Sequence, residues 1–314
     1  MNRNACRKGA ARASGVLACL AIVALLAVGL SLAAEPGPQE RKVVARGAEQ
    51  SAPVTPHVID GDLRDLPRPV RWKPGDPVKE IPRRAYPRPG GFVPREYETG
   101  PDELMQLQSD LQEFATEAFT DLTRNFPGQG YSGVNPPDTV GEAGPSHYIQ
   151  MINAGGGTSV AIYDKATPTP NLVTSFMLDS LGSGFCASGY GDPIVLYDRY
   201  SERWMLSEFS QSGNNLCIYI SQTSDPVSGG WYFYGFTADY FPDYPKYAIW
   251  PTDANGGQGS IIVTSNETGP SAGYALDRGA MLVGDPATSQ RVTFPAGPGL
   301  NSHTTTPADP AGAA

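Results

Sequence analysis

Carboxylates are the chief chemical resource of this 314-residue chain, and three of them recur in similar settings. Asp138 lies in Pro136-Pro137-Asp138-Thr139, Asp192 in Gly191-Asp192-Pro193-Ile194, and Asp243 in Pro242-Asp243-Tyr244-Pro245. They are 54 and 51 residues apart. If each opens the innermost strand of a repeated unit, the three would point toward one axis near the mouth of a central channel. Converging oxygens of that kind could hold calcium, which takes about 6–8 oxygen ligands. The alternative is that each aspartate caps its own turn through Asx hydrogen bonds.

Glu208 is the second candidate. Strand alternation places it on the face that carries Trp204 and Leu206. A carboxyl on an apolar face has a raised pKa, the property a general acid needs. A glycosidase would add a second carboxylate ~5–9.5 Å away, for which Asp192 and Asp198 are candidates. Otherwise Glu208 ends its strand and reaches solvent, or pairs with Arg199 or Arg203. None of the three is assigned a catalytic role on this footing.

Other chemistries lack their residues. Beyond residue 100 the only histidines are His147 and His303, and no G-x-S-x-G elbow accompanies them. His147 stands at the start of an expected strand and reads as structural. There is no G-x-x-x-x-G-K-[ST] phosphate loop and no H-E-x-x-H. Gly155-Gly156-Gly157 reads as a hairpin turn. The runs Trp231-Tyr232-Phe233-Tyr234 and Tyr240-Phe241 to Tyr247 could stack on sugars, although alternation buries half of each as core. Asn266-Glu267-Thr268 is a glycosylation sequon, relevant in a host that glycosylates. No cofactor is called for, calcium being the one ion the carboxylates suggest.

The elements that would position these residues are short strands. Segments 194–197, 204–209, 216–221 and 231–236 follow one another with turn residues between them, four strands in about 45 residues. That density suits one propeller blade. Neighbouring units contain 147–153, 159–164 and 172–178 on one side, and 247–250, 260–265 and 272–276 on the other. The expected fold is therefore all-β, a partial β-propeller of about three four-stranded blades over residues 130–295. A sandwich is the structural alternative. Ahead of it, Leu104, Leu107, Leu111, Phe114, Ala118 and Leu122 mark an amphipathic helix within 101–126. Residues 35–100 hold twelve prolines and read as a linker or draped arm, and 296–314 as a disordered tail.

Charge divides along the same lines. The formal net charge is −9, with +4 in residues 1–34, +2 in 35–100 and −15 in 101–314. A body so poor in bases cannot neutralise a phosphate backbone, which excludes nucleic acid as a partner. Residues 1–34 read as a secretory signal peptide: four basic groups, an apolar run over 15–32, and small residues for cleavage after Ala33 or Ala34. An uncleaved leader would anchor the chain in the membrane. Cleavage removes Cys6 and Cys19 and leaves Cys186 and Cys217, a disulfide in an oxidising compartment or else two buried thiols.

Four stretches carry a resemblance: NPPDTVGEAGPSHYIQMIN (135–153), GDPIVLYDRYSERWMLSEF (191–209), CIYISQTSDPVSGGWYFY (217–234) and FPDYPKYAIW (241–250). In this order they resemble a widespread group of largely uncharacterised secreted bacterial proteins with a propeller-like body, often joined to Ig-like or adhesion modules. The resemblance implies propeller architecture and export over residues 130–295, and it carries no catalytic residues across. Members of that group usually continue beyond the point matching Pro307-Ala308-Asp309. Three blades also fall short of the ~4–8 of a closed ring. The chain is accordingly expected to be truncated, or else to cover its open edges with the helix and arm. The expected function is binding of an extracellular carbohydrate or protein, in a secreted, periplasmic or cell-surface location, without catalysis. The alternatives are a glycan hydrolase with paired carboxylates and an inactive fragment.

Overall fold

The computed structural model describes residues 47–81, 124–252, 257–267, 272–293 and 306–307. The leader, residues 101–123 of the helix expected over 101–126 and nearly all of the tail lie outside them. The described residues form an all-β structure of mostly antiparallel sheets, none closed on itself.

In chain order, the arm supplies β1 (Glu49–Gln50), β2 (His57–Ile59) and β3 (Lys79–Glu80). The body then provides β4 (Val134–Asn135), β5 (Val140–Ala143), β6 (His147–Ala154), β7 (Gly157–Asp164) and β8 (Asn171–Met177). Next come β9 (Gly189–Asp198), β10 (Arg203–Ser210), β11 (Asn215–Ser221) and β12 (Trp231–Thr237). The last group is β13 (Pro242–Trp250), β14 (Ser260–Glu267), β15 (Ala272–Asp277), the short helix α1 (Arg278–Val283) and β16 (Ser289–Thr293).

Three up-and-down meanders result. The first sheet runs β5-β6-β7-β8, the second β9-β10-β11-β12 and the third β13-β14-β15-β16. The turns are the ones the sequence marks: Ala154 pairs with Gly157 across a two-residue hairpin, and Asp198 pairs with Arg203 across the next. His147 opens β6 opposite Asp164.

Alternation sorts the apolar side chains of the second sheet into two cores. Trp204, Leu206, Tyr219, Trp231 and Phe233 pack against Ile149, Met151, Val160, Ile162 and Phe176 of the first sheet. Met205, Ile218, Ile220, Tyr234 and Phe236 pack against Tyr247, Ile261, Val263, Tyr274 and Leu276 of the third. The second sheet is thus covered on both faces, and every residue of β11 is buried. Burial on both faces is why β11 reads as a nearly continuous apolar run instead of alternating. The aromatic run at 231–234 serves mainly as this packing, with Trp231 and Tyr234 fully buried.

The arm travels along the outer edges of these sheets. β1 pairs with β16 and β2 with β12, so the second and third sheets each gain a fifth strand. Leu63 then inserts into the core of the first sheet, where its carbonyl accepts from the Thr174 hydroxyl at 3.1 Å. Pro67 and Pro69 follow, and prolines cannot donate to a ladder. β3 finally pairs in parallel with β4, just ahead of Asp138. Pairing satisfies edge groups that would otherwise invite association.

Cys186 and Cys217 form a disulfide, Cα to Cα 5.8 Å, tying the turn before β9 to β11. Such a bond fits an extracellular setting. No helix among the described residues is long and apolar enough to cross a membrane.

Candidate functional site

The openings of β5 and β9 meet at Asn153, and there and at the opening of β13 the backbone repeats an unusual conformation. Asp138, Asp192 and Tyr244 have φ of 39°, 50° and 51°. Non-glycine residues are uncommon in this left-handed region and concentrate where surrounding contacts over-determine them. The repeat therefore aligns Asp138 and Asp192 with Tyr244, one residue past the Asp243 that the motifs suggest. Asp243 pairs with Asn266 in the ladder between β13 and β14.

Asn153, at the end of β6, holds the first two openings together. It is fully buried. Its Nδ2 donates to Asp138 Oδ2 at 2.8 Å and to the Pro136 carbonyl at 2.9 Å, while its Oδ1 accepts from the Asp192 amide at 2.9 Å. The Asn153 amide donates to the Pro137 carbonyl at 2.8 Å. Gly191 makes room for this hub: its φ is 111°, and a Cβ there would collide with Asn153 Oδ1. From the arm side, Asn135 Nδ2 donates to Glu80 Oε1 at 2.8 Å, buttressing the turn that carries Asp138.

So placed, the Asp138 and Asp192 carboxyls neighbour one another across the Asn153 hub. Burial pushes Asp192 up to about 7, and the charge and hydrogen bond of Asp138 add to the rise. Lys246 and the Tyr244 amide pull it the other way. The Lys246 ammonium sits 3.7 Å from the Tyr244 ring centroid, a cation–π arrangement. Burial lowers the Lys246 pKa, against the two carboxylates. Tyr244 itself is 49% exposed, with Tyr240 (42%) and Phe185 (61%) at the same end of the sheets.

The two aspartates of the calcium reading that meet are thus Asp138 and Asp192. Among the described residues, no group of three or more histidine, cysteine, aspartate or glutamate side chains is placed to hold a metal ion.

Glu208 lies elsewhere. It faces the first sheet beside Trp204 and Leu206, as alternation requires, and is completely buried. Burial drives its pKa well up; the Thr158 hydroxyl and amide oppose this, and Asp179 reinforces it. Neither Thr158 group reaches hydrogen-bond geometry, and both carboxyl oxygens lack a partner among the described residues. The reading of Glu208 as a strand-end residue facing solvent, or paired with Arg199 or Arg203, is therefore corrected. Arg203 donates instead to the carbonyls of Ser201 and Glu202, at 2.9 and 3.1 Å.

Asp198 closes the opposite end of β9, about 30 Å from Gly189 at ~3.3 Å per residue. It cannot share a substrate with Glu208. Its carboxylate accepts from the Tyr200 and Ser201 amides at 3.0 and 3.2 Å, and from Arg278 Nε at 2.7 Å. It is a buried strut between the second and third sheets. The sequon is also structural: Asn266 is 7% exposed within β14.

Tyr244 belongs to the aromatic run read as able to stack on sugars, whereas neither type nor spacing marks Asn153 or Lys246, although Lys246 lies in the DYPK stretch. Asn153 ends a strand whose other inward residues are apolar, and a lone amide there was the available signal.

No family model matches the chain, and neither curated proteins nor solved structures gave a match.

Proposed function

We propose that this chain is an exported, propeller-like protein that binds an extracellular carbohydrate at the end of the sheets where β5, β9 and β13 begin. The three meanders are read as successive blades and residues 1–34 as the export signal, in keeping with the secreted bacterial group that the motifs resemble. The observation that carries the binding site is the Asp138–Asp192 carboxyl pair beside Lys246 and the half-exposed Tyr244. A pair holding one proton can donate to and accept from sugar hydroxyls, while a tyrosine face takes the apolar face of a sugar ring. Recognition of a protein surface at the same end is the other form of the reading.

Hydrolysis is the less favoured chemistry. Glycosidase carboxyls stand ~5–9.5 Å apart to leave room for the sugar and water. Asp138 and Asp192 are instead held by one buried residue between them, Asn153, and Glu208 is sealed from solvent.

Calorimetry across a panel of soluble oligosaccharides tests this. A bound glycan should lose about tenfold or more in affinity, ~1.4 kcal/mol, on Tyr244→Ala and on Asp192→Asn. Binding indifferent to both variants would move the site elsewhere, and release of new reducing ends would replace binding with hydrolysis.

A further inference from the structure

A second polar cluster lies between the first and second sheets, away from the carboxyl pair. Glu208 projects from β10 and Thr158 from β7, and Tyr219 sits on β11 diagonally across from Glu208, whose direct partner is Cys217. All three side chains are buried, and Thr158 Oγ1, both Glu208 carboxyl oxygens and the Tyr219 hydroxyl lack hydrogen-bond partners among the described residues. Asp179, in the turn after β8, acts electrostatically on both Glu208 and Tyr219. The charges that reach Glu208 and Tyr219 are all acidic among the described residues.

The backbone around these groups is trimmed to glycine. A Cβ at Gly189 would collide with the Glu208 carboxyl and one at Gly157 would crowd it, while one at Gly182 would collide first with the Cys186 carbonyl and then with the Tyr219 hydroxyl. Buried polar atoms are nearly always satisfied, and a buried carboxylate without a partner is among the costliest groups a fold can hold. Two carboxyls and two hydroxyls form an all-oxygen set, the donor type of hard cations.

We propose that Glu208, Thr158 and Tyr219, with Asp179 beside them, bind a hard metal cation of the calcium type between the first two sheets. The ion would take the Glu208 oxygens and the two hydroxyls directly. Asp179, in the turn after β8, contributes negative charge. Because Gly189 opens β9, the ion would fix the start of the strand that carries Asp192. The site is independent of glycan binding.

Thermal unfolding of the whole secreted protein, in calcium chloride and in chelator at one pH, tests the proposal. A cation at about 100 times its Kd should raise Tm by roughly 5–10 °C. Glu208→Gln and Thr158→Val should each abolish or sharply reduce the rise, and Asp192→Asn should keep it. Terbium, read through tyrosine-sensitised luminescence, should bind the wild type and Asp192→Asn alike. No calcium-dependent rise in the wild type would overturn the proposal and leave Glu208 a neutral buried acid. A rise that survives in Glu208→Gln, or vanishes in Asp192→Asn, would overturn it by placing the ion elsewhere.

Discussion

Arg278, at the start of α1, grips Asp198 at the far end of β9, with Nε and Nη2 at 2.7 and 2.6 Å from the same carboxylate oxygen. Both side chains are at most 5% exposed. The guanidinium also donates to the carbonyls of Gln258 and Pro251 at 2.7 and 3.3 Å, so a single residue ties the second sheet to both ends of the β13–β14 connection of the third. Removing one partner of such a pair strands the other charge in the interior. Arg278→Met should cost about 3–5 kcal/mol, read as a lower urea midpoint.

The carboxyl pair makes stability depend on pH. Asp192 titrates at about 7 in the folded chain and near 3.8 when free. The folded state therefore holds its proton more tightly, and the stability this confers is fully present below about 3.8 and lost as pH rises through about 7. Urea midpoints measured from pH 4 to 9 should fall over that window in the wild type. Asp192→Asn, which cannot lose a proton there, should flatten the fall.

The disulfide closes a loop between residues 31 apart. Chain-entropy arguments place its contribution between those of 15- and 100-residue loops, about 3–4 kcal/mol. Replacing both cysteines with serine should lower stability by that amount, measured by chemical unfolding.

Gly191→Ala brings a methyl against Asn153 Oδ1 in a backbone conformation that alanine avoids. Strain of about 1–3 kcal/mol is expected. It should come with weaker glycan binding, because Asn153 holds both Asp138 and Asp192. Tyr244→Ala, on an exposed side chain, should weaken the same binding while leaving stability within about 0.5 kcal/mol.

Much of the body was legible because its signals are local. Turn residues at 198–201 and 213–215 and alternation through 204–208 locate β10 and β11 without knowledge of their neighbours. Alternation also put Glu208 on the apolar face. The choice among solvent, an arginine and full burial depended on a sheet 40 to 60 residues upstream, which no local pattern encodes. The short strands β1 to β5 and β16 carry too few residues to show a period. β1, β2, β5 and β16 exist because a neighbouring strand offers them hydrogen bonds, while β3 and β4 pair only with each other.

The sequence by itself determined the order of the longer strands of the body, their turns, the pair of cysteines available for a bond and the acidic character of the body, since each depends on residues adjacent in the chain. Only the tertiary structure decided that Asp138 meets Asp192, that Tyr244 and not Asp243 occupies the third equivalent position, that Asp198 is a strut and that Glu208 is sealed inside. Those outcomes depend on which strands stack and in what register. A shift of one residue turns a side chain to the other face, and that register is set by packing between sheets.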